Sequence, residues 1–461
     1  MRSTIPRAVF ALVLFVLMPP FCSSQQKSVT QRNAADSAIA ERVRQEFLHA
    51  WTAYQQYASG HDELKPLSKG YRDWYGTSLY MTPVDALDTM LLMGLNDEAN
   101  KTREMIVRDL SFDRDIYVKN FEITIRLLGG LLSSFQLSRD TRLLALADDL
   151  GRRLLPAFNS PTGMPYMYVN LKTGAMRGAK SNPAEIGTLL LEFGTLSKLT
   201  GKPIYYEKAK RALVELYRRR SPLGLVGSSI NVETGEWIDK TSHISGGIDS
   251  YYEYLLKCSR LFDDRDCADM WKESIAAINK YLADNANNGF WYAYVDMNTG
   301  KRTATRFGAL DAFFPAVLAL AGDDGRARRL QDSADKMWHM FGIEPEEIDY
   351  STMKIPSPKA AGYALRPEII ESAYYLHFFT GDPRYREMGK RYFEPLVRNC
   401  RTQAGYAALE DVRTKKKRDS MESYFLAETL KYLYLLFAPR ETLDLNTVVF
   451  NTEAHPLKRT W

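Results

Sequence analysis

The stretch RPEIIESAYYLHFFTGDPRYREMGKRYFEPLV, residues 366–397, decides the fold. A carboxylate opens a helix that is apolar on almost every side. A Thr-Gly-Asp-Pro turn follows, and then a second helix with a polar and an apolar face. The same layout recurs in PAEIGTLLLEFGTLSKLTGKPIYYEKAKRALVELY, residues 183–217, and in GIDSYYEYLLKCSRLFDDRDCADMWKESIAAI, residues 247–278. A recurring unit of this length points to a repeat architecture. An all-round apolar helix belongs inside and an amphipathic one outside, against water.

Aligning the apolar helices gives seven, carrying Asp85, Glu122, Glu185, Asp249, Asp311, Glu368 and Glu428. After a first gap of 37 residues they follow at intervals of 57 to 64. The pattern predicts an all-α (α/α)7 barrel. MYVNLKTGAM (167–176), GSSINVETGEWI (227–238) and FWYAYVDMNTGKR (290–302) read as short β-hairpins gathered at one end. In such a ring the helix starts converge on one axis and bring their acids with them. Capping explains some acids at helix starts, but not seven. A concave, acid-lined pocket suits sugar hydrolysis, which needs a proton donor, a proton acceptor and many hydroxyl acceptors.

Within NFEITIRLLGGLLSSF (120–135), Glu122 and Arg126 sit one turn apart on a helix with no polar face. Gly129 and Gly130 would let a neighbour approach closely.

The chain has 461 residues, 45% hydrophobic and 25% charged, an ordinary globular balance. Its net charge of +5 is interspersed, and the one dense run, Lys415–Arg418, reads as a solvated loop, which argues against nucleic-acid binding. Arg2 and Arg7 precede the apolar run 8–21, and small residues follow it. This reads as a signal peptide over 1–24, with export and no stable membrane insertion. Residues 25–45 read as a polar lead-in or first helix, and 46–461 as one catalytic domain. Cys258 and Cys267 could bridge a helical hairpin or be small buried thiols. No zinc, serine-triad or phosphate-loop motif occurs.

These residues carry a resemblance. GHDELKPLSKG (60–70), PVDALDTMLLMGL (83–95), NFEITIRLLGGLLSSF, DSYYEYLLK (249–257), LRPEIIES (365–372), MESYFLAETLKYLYLLF (421–437) and VFNTEAHPL (449–457) stand in the order found in class I α-mannosidases, glycoside hydrolase family 47. The chain resembles that family from about residue 60 to 457. The resemblance implies an (α/α)7 barrel and a calcium-dependent, inverting exo-α-1,2-mannosidase acting on mannose-containing oligosaccharides or glycoprotein glycans, as a monomer. It lies in the ER lumen if the source is eukaryotic.

The resemblance also implies roles. Glu122 matches the general acid and Arg126 its partner. Asp249 and Glu346 match catalytic carboxylates, although Glu344 and Glu347 crowd the register of Glu346, and Glu368 matches the general base. Thr452 matches the calcium ligand. Glu185, Arg366, Glu371, Glu428 and Glu453 match residues that line the mannose pocket or hold the calcium waters, and Tyr424 matches an aromatic platform. Asp88 is a further pocket candidate, and Glu422 a weaker one. Asp85, Asp311 and His455 are read as structural. The segment GALDAFFPAVLALAGD (308–323) lacks an Asp-His pair that trimming enzymes carry. It leans towards the EDEM-like (ER degradation-enhancing mannosidase-like) branch, whose implied alternative is a catalytically weak glycan-binding protein.

Overall fold

The computed structural model describes Met1 and residues 21–459. The leader expected over 1–24 falls largely outside the described residues. Seven inner helical segments form a closed ring. They are α2 (Met81–Leu92), α4 (Asn120–Ile123) running through a π-helical turn into α5 (Gly129–Ser138), α7 (Pro183–Gly187) with α8 (Leu190–Thr200), α10 (Asp249–Phe262), α12 (Phe314–Leu320), α14 (Glu368–Thr380), and a π-helical turn (Phe425–Thr429) leading into α16 (Leu430–Phe437). Each inner segment packs on the next, and the last returns to α2. The outer layer is α3 (Asn96–Asp109), α6 (Thr141–Leu154), α9 (Pro203–Arg218), α11 (Arg265–Tyr281), α13 (Asp324–His339), α15 (Arg384–Cys400) and α1 (Phe21–Tyr57), which packs on α16. The molecule is an (α/α)7 barrel, as the repeat predicted.

The layers follow from patterning. In α14 nine of thirteen residues are buried, whereas α15 buries only Tyr385, Met388, Gly389, Tyr392, Phe393, Leu396 and Cys400, at helical spacing. α1 takes in the whole of the segment 25–45, so it is a first helix. Within it Ala40, Val43 and Phe47 are buried, and Asp36 accepts a hydrogen bond from Arg386 at 2.9 Å.

Two features position the site. The connections from outer to inner helices carry short antiparallel strand pairs. Among them β1 (Tyr117–Lys119), β2 (Tyr168–Asn170) and β3 (Met176–Arg177) form one three-stranded sheet across two repeats. The C-terminal hairpin, β4 (Val448–Phe450) and β5 (Pro456–Lys458), packs against α10 and α5, and its turn enters the barrel axis. The glycines of α5 make room for it. A Cβ on Gly129 would lie 2.5 Å from Asn451 Nδ2, and one on Gly130 2.9 Å from Val84 of α2. Cys258 and Cys267 form a disulfide between α10 and α11, so the bridged reading is the one the structure has.

Candidate active site

The inner helix starts and the hairpin turn enclose a cavity of about 300 Å³. Glu122, Glu185, Asp249, Glu253, Glu368, Glu371, Glu428 and Glu453 line it, against Lys119, Arg126 and Arg366. Eight carboxylates thus face three cations. Asn451 holds the hairpin turn rigid: its side-chain oxygen accepts from the amides of Glu453 and His455, and its Nδ2 donates to Ile125 O and Glu192. The turn presents Thr452 and Glu453 as one wall of the cavity.

Arg126 is the hub of one side. It donates to Glu122 at 3.2 Å and to Glu453, and lies 3.7 Å from Asp85. Four residues on from Glu122, it sits on the same helical face. Lys119 of β1 contacts Glu185 at 2.6 Å and Glu122 at 3.7 Å. The Tyr424 ring lies beneath two guanidinium groups, 5.7 Å from Arg126 and 5.8 Å from Arg366. Its hydroxyl donates to Ala364 O at 2.6 Å, which fixes the ring against the cavity.

Glu368 opens α14 with one oxygen 3.7 Å from Arg366, while its Oε2 is buried and accepts no hydrogen bond from the described residues. Burial pushes its carboxyl up to about 7, opposed by Arg366. Burial likewise lifts Glu185 to about 7 against Lys119, and Asp249 to about 7 against the Ser250 amide that donates to it. Glu371 and Glu428 are also pushed upward, first by burial. Crowded carboxylates out of water each disfavour the next one's charge.

Eleven of the twelve site residues that the family resemblance implies line this cavity: Glu122, Asp249, Glu368, Arg126, Glu185, Arg366, Glu371, Tyr424, Glu428, Glu453 and Thr452. Glu346 does not. It stands behind the wall, accepting from Arg366 Nη2 at 2.8 Å and from the Ala364 amide at 2.8 Å. Asp88 is not a pocket residue either. It is wholly buried between Lys431, at 2.8 Å, and His455 of the hairpin turn, which cover it from the cavity. Glu422 also lies outside, near Arg72. Glu344 is wholly buried with no hydrogen-bond partner among the described residues, and burial raises its carboxyl well above the usual range.

Lys119 and Glu253 were not anticipated. Glu253 follows Asp249 by four residues on α10, so its helical spacing was a usable signal. Lys119 reaches the cavity through strand pairing, which local periodicity does not reveal.

The model of the family described as "Glycosyl hydrolase family 47" matches residues 46–459. This chain belongs to glycosyl hydrolase family 47. It is 37% identical to "Alpha-mannosidase I MNS5" of Arabidopsis thaliana, over 98% of this chain and 82% of that protein. It is 38% identical to the "ER degradation-enhancing alpha-mannosidase-like protein 2" of Mus musculus, over 90% of this chain and 77% of that protein. Its fold superposes on the α-1,2-mannosidase from Trichoderma reesei with a TM-score of 0.85 at 29% identity, covering 92% and 99% of the two chains. This family member is a glycoside hydrolase of the α-mannosidase type.

Proposed function

We propose that this chain is a calcium-dependent, inverting exo-α-1,2-mannosidase that removes terminal mannose from oligosaccharides. One observation carries the reading: the acid-lined cavity is small and ends on the Thr452–Glu453 turn. At about 300 Å³ it stands at the low end for ligand sites. A blind pocket of that size admits a chain end and refuses a chain interior, which supports exo action.

Inversion requires an acid and a base on opposite faces of the sugar with water between them. Glu122 and Glu368 come from inner helices that are not neighbours in the ring, with α7, α10 and α12 between them. Glu368 takes the proton of the attacking water through its uncommitted Oε2, and a carboxyl near 7 is matched to that task at neutral pH. Glu122, protonated, gives its carboxyl proton to the leaving oxygen, directly or through water, and is left as a carboxylate that Arg126 holds in place. Asp249 supplies further negative charge beside a developing oxocarbenium ion. Tyr424 offers its ring to the sugar face and Arg366 its donors to hydroxyls.

The residues present fit calcium. It is a hard cation that takes oxygen ligands. The cavity has five more carboxylates than cations, Glu185 Oε2 is buried without a partner, and the Thr452 hydroxyl donates to no other described residue. Thr452 would hold the ion through its oxygens, with Glu185, Glu428 and Glu453 ordering its waters. Bound there, calcium would supply a Lewis-acid grip on sugar hydroxyls.

The test is mannose release from α-1,2-mannobiose with and without chelator, with NMR of the first-formed anomer. Calcium-dependent release of β-mannose is expected. Chelator-insensitive binding without release would favour the EDEM-like glycan-binding alternative. Release of α-mannose would refute inversion.

A further inference from the structure

The sheet beside the cavity carries more than its fold requires. β1 and β2 pair antiparallel, setting Lys119 opposite Tyr168, and β2 and β3 set Tyr168 opposite Arg177. Directly opposed residues share a face of a sheet, as do residues two apart along a strand. Lys119, Tyr117, Tyr168 and Arg177 therefore lie on one face, and the alternate residues Val118 and Val169 are buried beneath. That face is continuous with the site: Lys119 lines the cavity and contacts Glu185.

Beyond Lys119, the polar groups on it are uncommitted. Arg177 is exposed, and its guanidinium lies 4.2 Å from the Tyr117 ring centre and 5.2 Å from that of Tyr168. Among the described residues it has no ion-pair or hydrogen-bond partner, and neither tyrosine hydroxyl has one. Stacking on two rings fixes the guanidinium plane while its N–H edges stay free. An arginine needed only for solubility would not be held so. Vicinal hydroxyls of a sugar match such a fork of donors, and the tyrosine hydroxyls add acceptors and donors beside it.

Resting on the mannosidase reading, we infer that Tyr117, Tyr168 and Arg177 form a binding strip for the sugars on the leaving-group side of the cleaved bond. The terminal mannose occupies the cavity and the rest of the oligosaccharide runs outward past Lys119 along this face. Two strand spacings, about 10 Å, separate Lys119 from Arg177. The strip therefore selects substrates longer than a disaccharide.

The experiment compares kcat/KM for α-1,2-mannotetraose with that for α-1,2-mannobiose in the full chain and in Arg177→Ala, Tyr168→Ala and Tyr168→Phe. The ratio of tetraose to biose should fall about tenfold in Arg177→Ala, the loss expected of one charge-assisted hydrogen bond. It should fall similarly in Tyr168→Ala and less in Tyr168→Phe, which keeps the ring. Calorimetric binding of the tetraose to the Glu368→Gln protein, with and without Arg177→Ala, reads the strip without turnover. A ratio within twofold of the parent in Arg177→Ala, or equal tetraose affinity in the two Glu368→Gln proteins, overturns the inference. Absence of mannose release from either sugar by the parent would instead overturn the mannosidase reading, and the affinities would still judge the strip.

Discussion

Asp88 and His455 form a wholly buried ion pair, Oδ2 to Nδ1 at 2.7 Å, between residues 367 positions apart in the chain. The other ring nitrogen of His455 lies 3.3 Å from Asp85, so the imidazole sits between two carboxylates. It ties α2 to the hairpin turn that carries Thr452 and Glu453. Removing the imidazolium leaves two buried carboxylates with only Lys431 and Arg126 beside them, so His455→Gln should lower the unfolding free energy by up to about 3–5 kcal/mol. The two carboxylates raise the imidazole above its ordinary value despite burial, which opposes them. Its contribution is thus fully present below the unfolded value of about 6.5 and fades as pH rises through the folded one. Urea titrations of parent and variant at pH 6 and pH 9 check this, and a gap that widened with pH would contradict it.

Glu368→Gln should keep the fold and lose turnover. The substitution preserves shape while removing the proton acceptor, which costs about 10²–10⁴ in kcat. Affinity for an unreactive mannose analogue should stay within a few-fold of the parent. Full activity in the variant would reassign the base.

Glu346 acts on the site through Arg366. Its Oε2 accepts from the guanidinium from behind, at 2.8 Å from Nη2 and 3.1 Å from Nε, and its Oε1 accepts from Nε at 3.4 Å. Glu346→Gln leaves Arg366 with weaker acceptors, so KM for mannobiose should rise about tenfold with a smaller change in kcat. If kcat fell by 10³ at constant KM, Glu346 would belong among the groups that touch the reacting atoms.

What the sequence made legible follows from period and spacing. Helical hairpins are local, so apolar and amphipathic stripes revealed the ring and put Glu122, Glu185, Asp249 and Glu368 at its mouth. Asp88 was misplaced because a helix that is apolar all round gives no sign of what will cover each of its acids. In the structure Asp88 is covered by His455 and Lys431, from the far end of the chain. Glu346 was misplaced because a loop carboxylate has no period at all, and its direction is set by Arg366, twenty residues on. The Lys119 strip escaped because it is made by pairing β1 with β2 across the 48 residues of chain between them. Cys258 and Cys267 were visible as residues, but their bridge depends on how α10 meets α11.

Calcium should stabilise this protein more at pH 7.5 than at pH 5.5. Glu185, Asp249 and Glu368 are held near 7 by burial, so the metal-free folded state carries protons that the unfolded chain has already released. With these groups binding more protons folded than unfolded, their contribution to stability falls as pH rises from about 4 through 7. A divalent cation among ionised carboxylates removes that penalty and must displace those protons to bind, so its affinity rises with pH. At a calcium concentration of 100 times Kd the gain is about 2.7 kcal/mol. Thermal melts with calcium and with chelator should therefore separate widely at pH 7.5 and converge at pH 5.5, and calcium titration in weak buffer should release protons. Thr452→Ala should shrink the separation at pH 7.5, while an unchanged separation would remove Thr452 from the metal site.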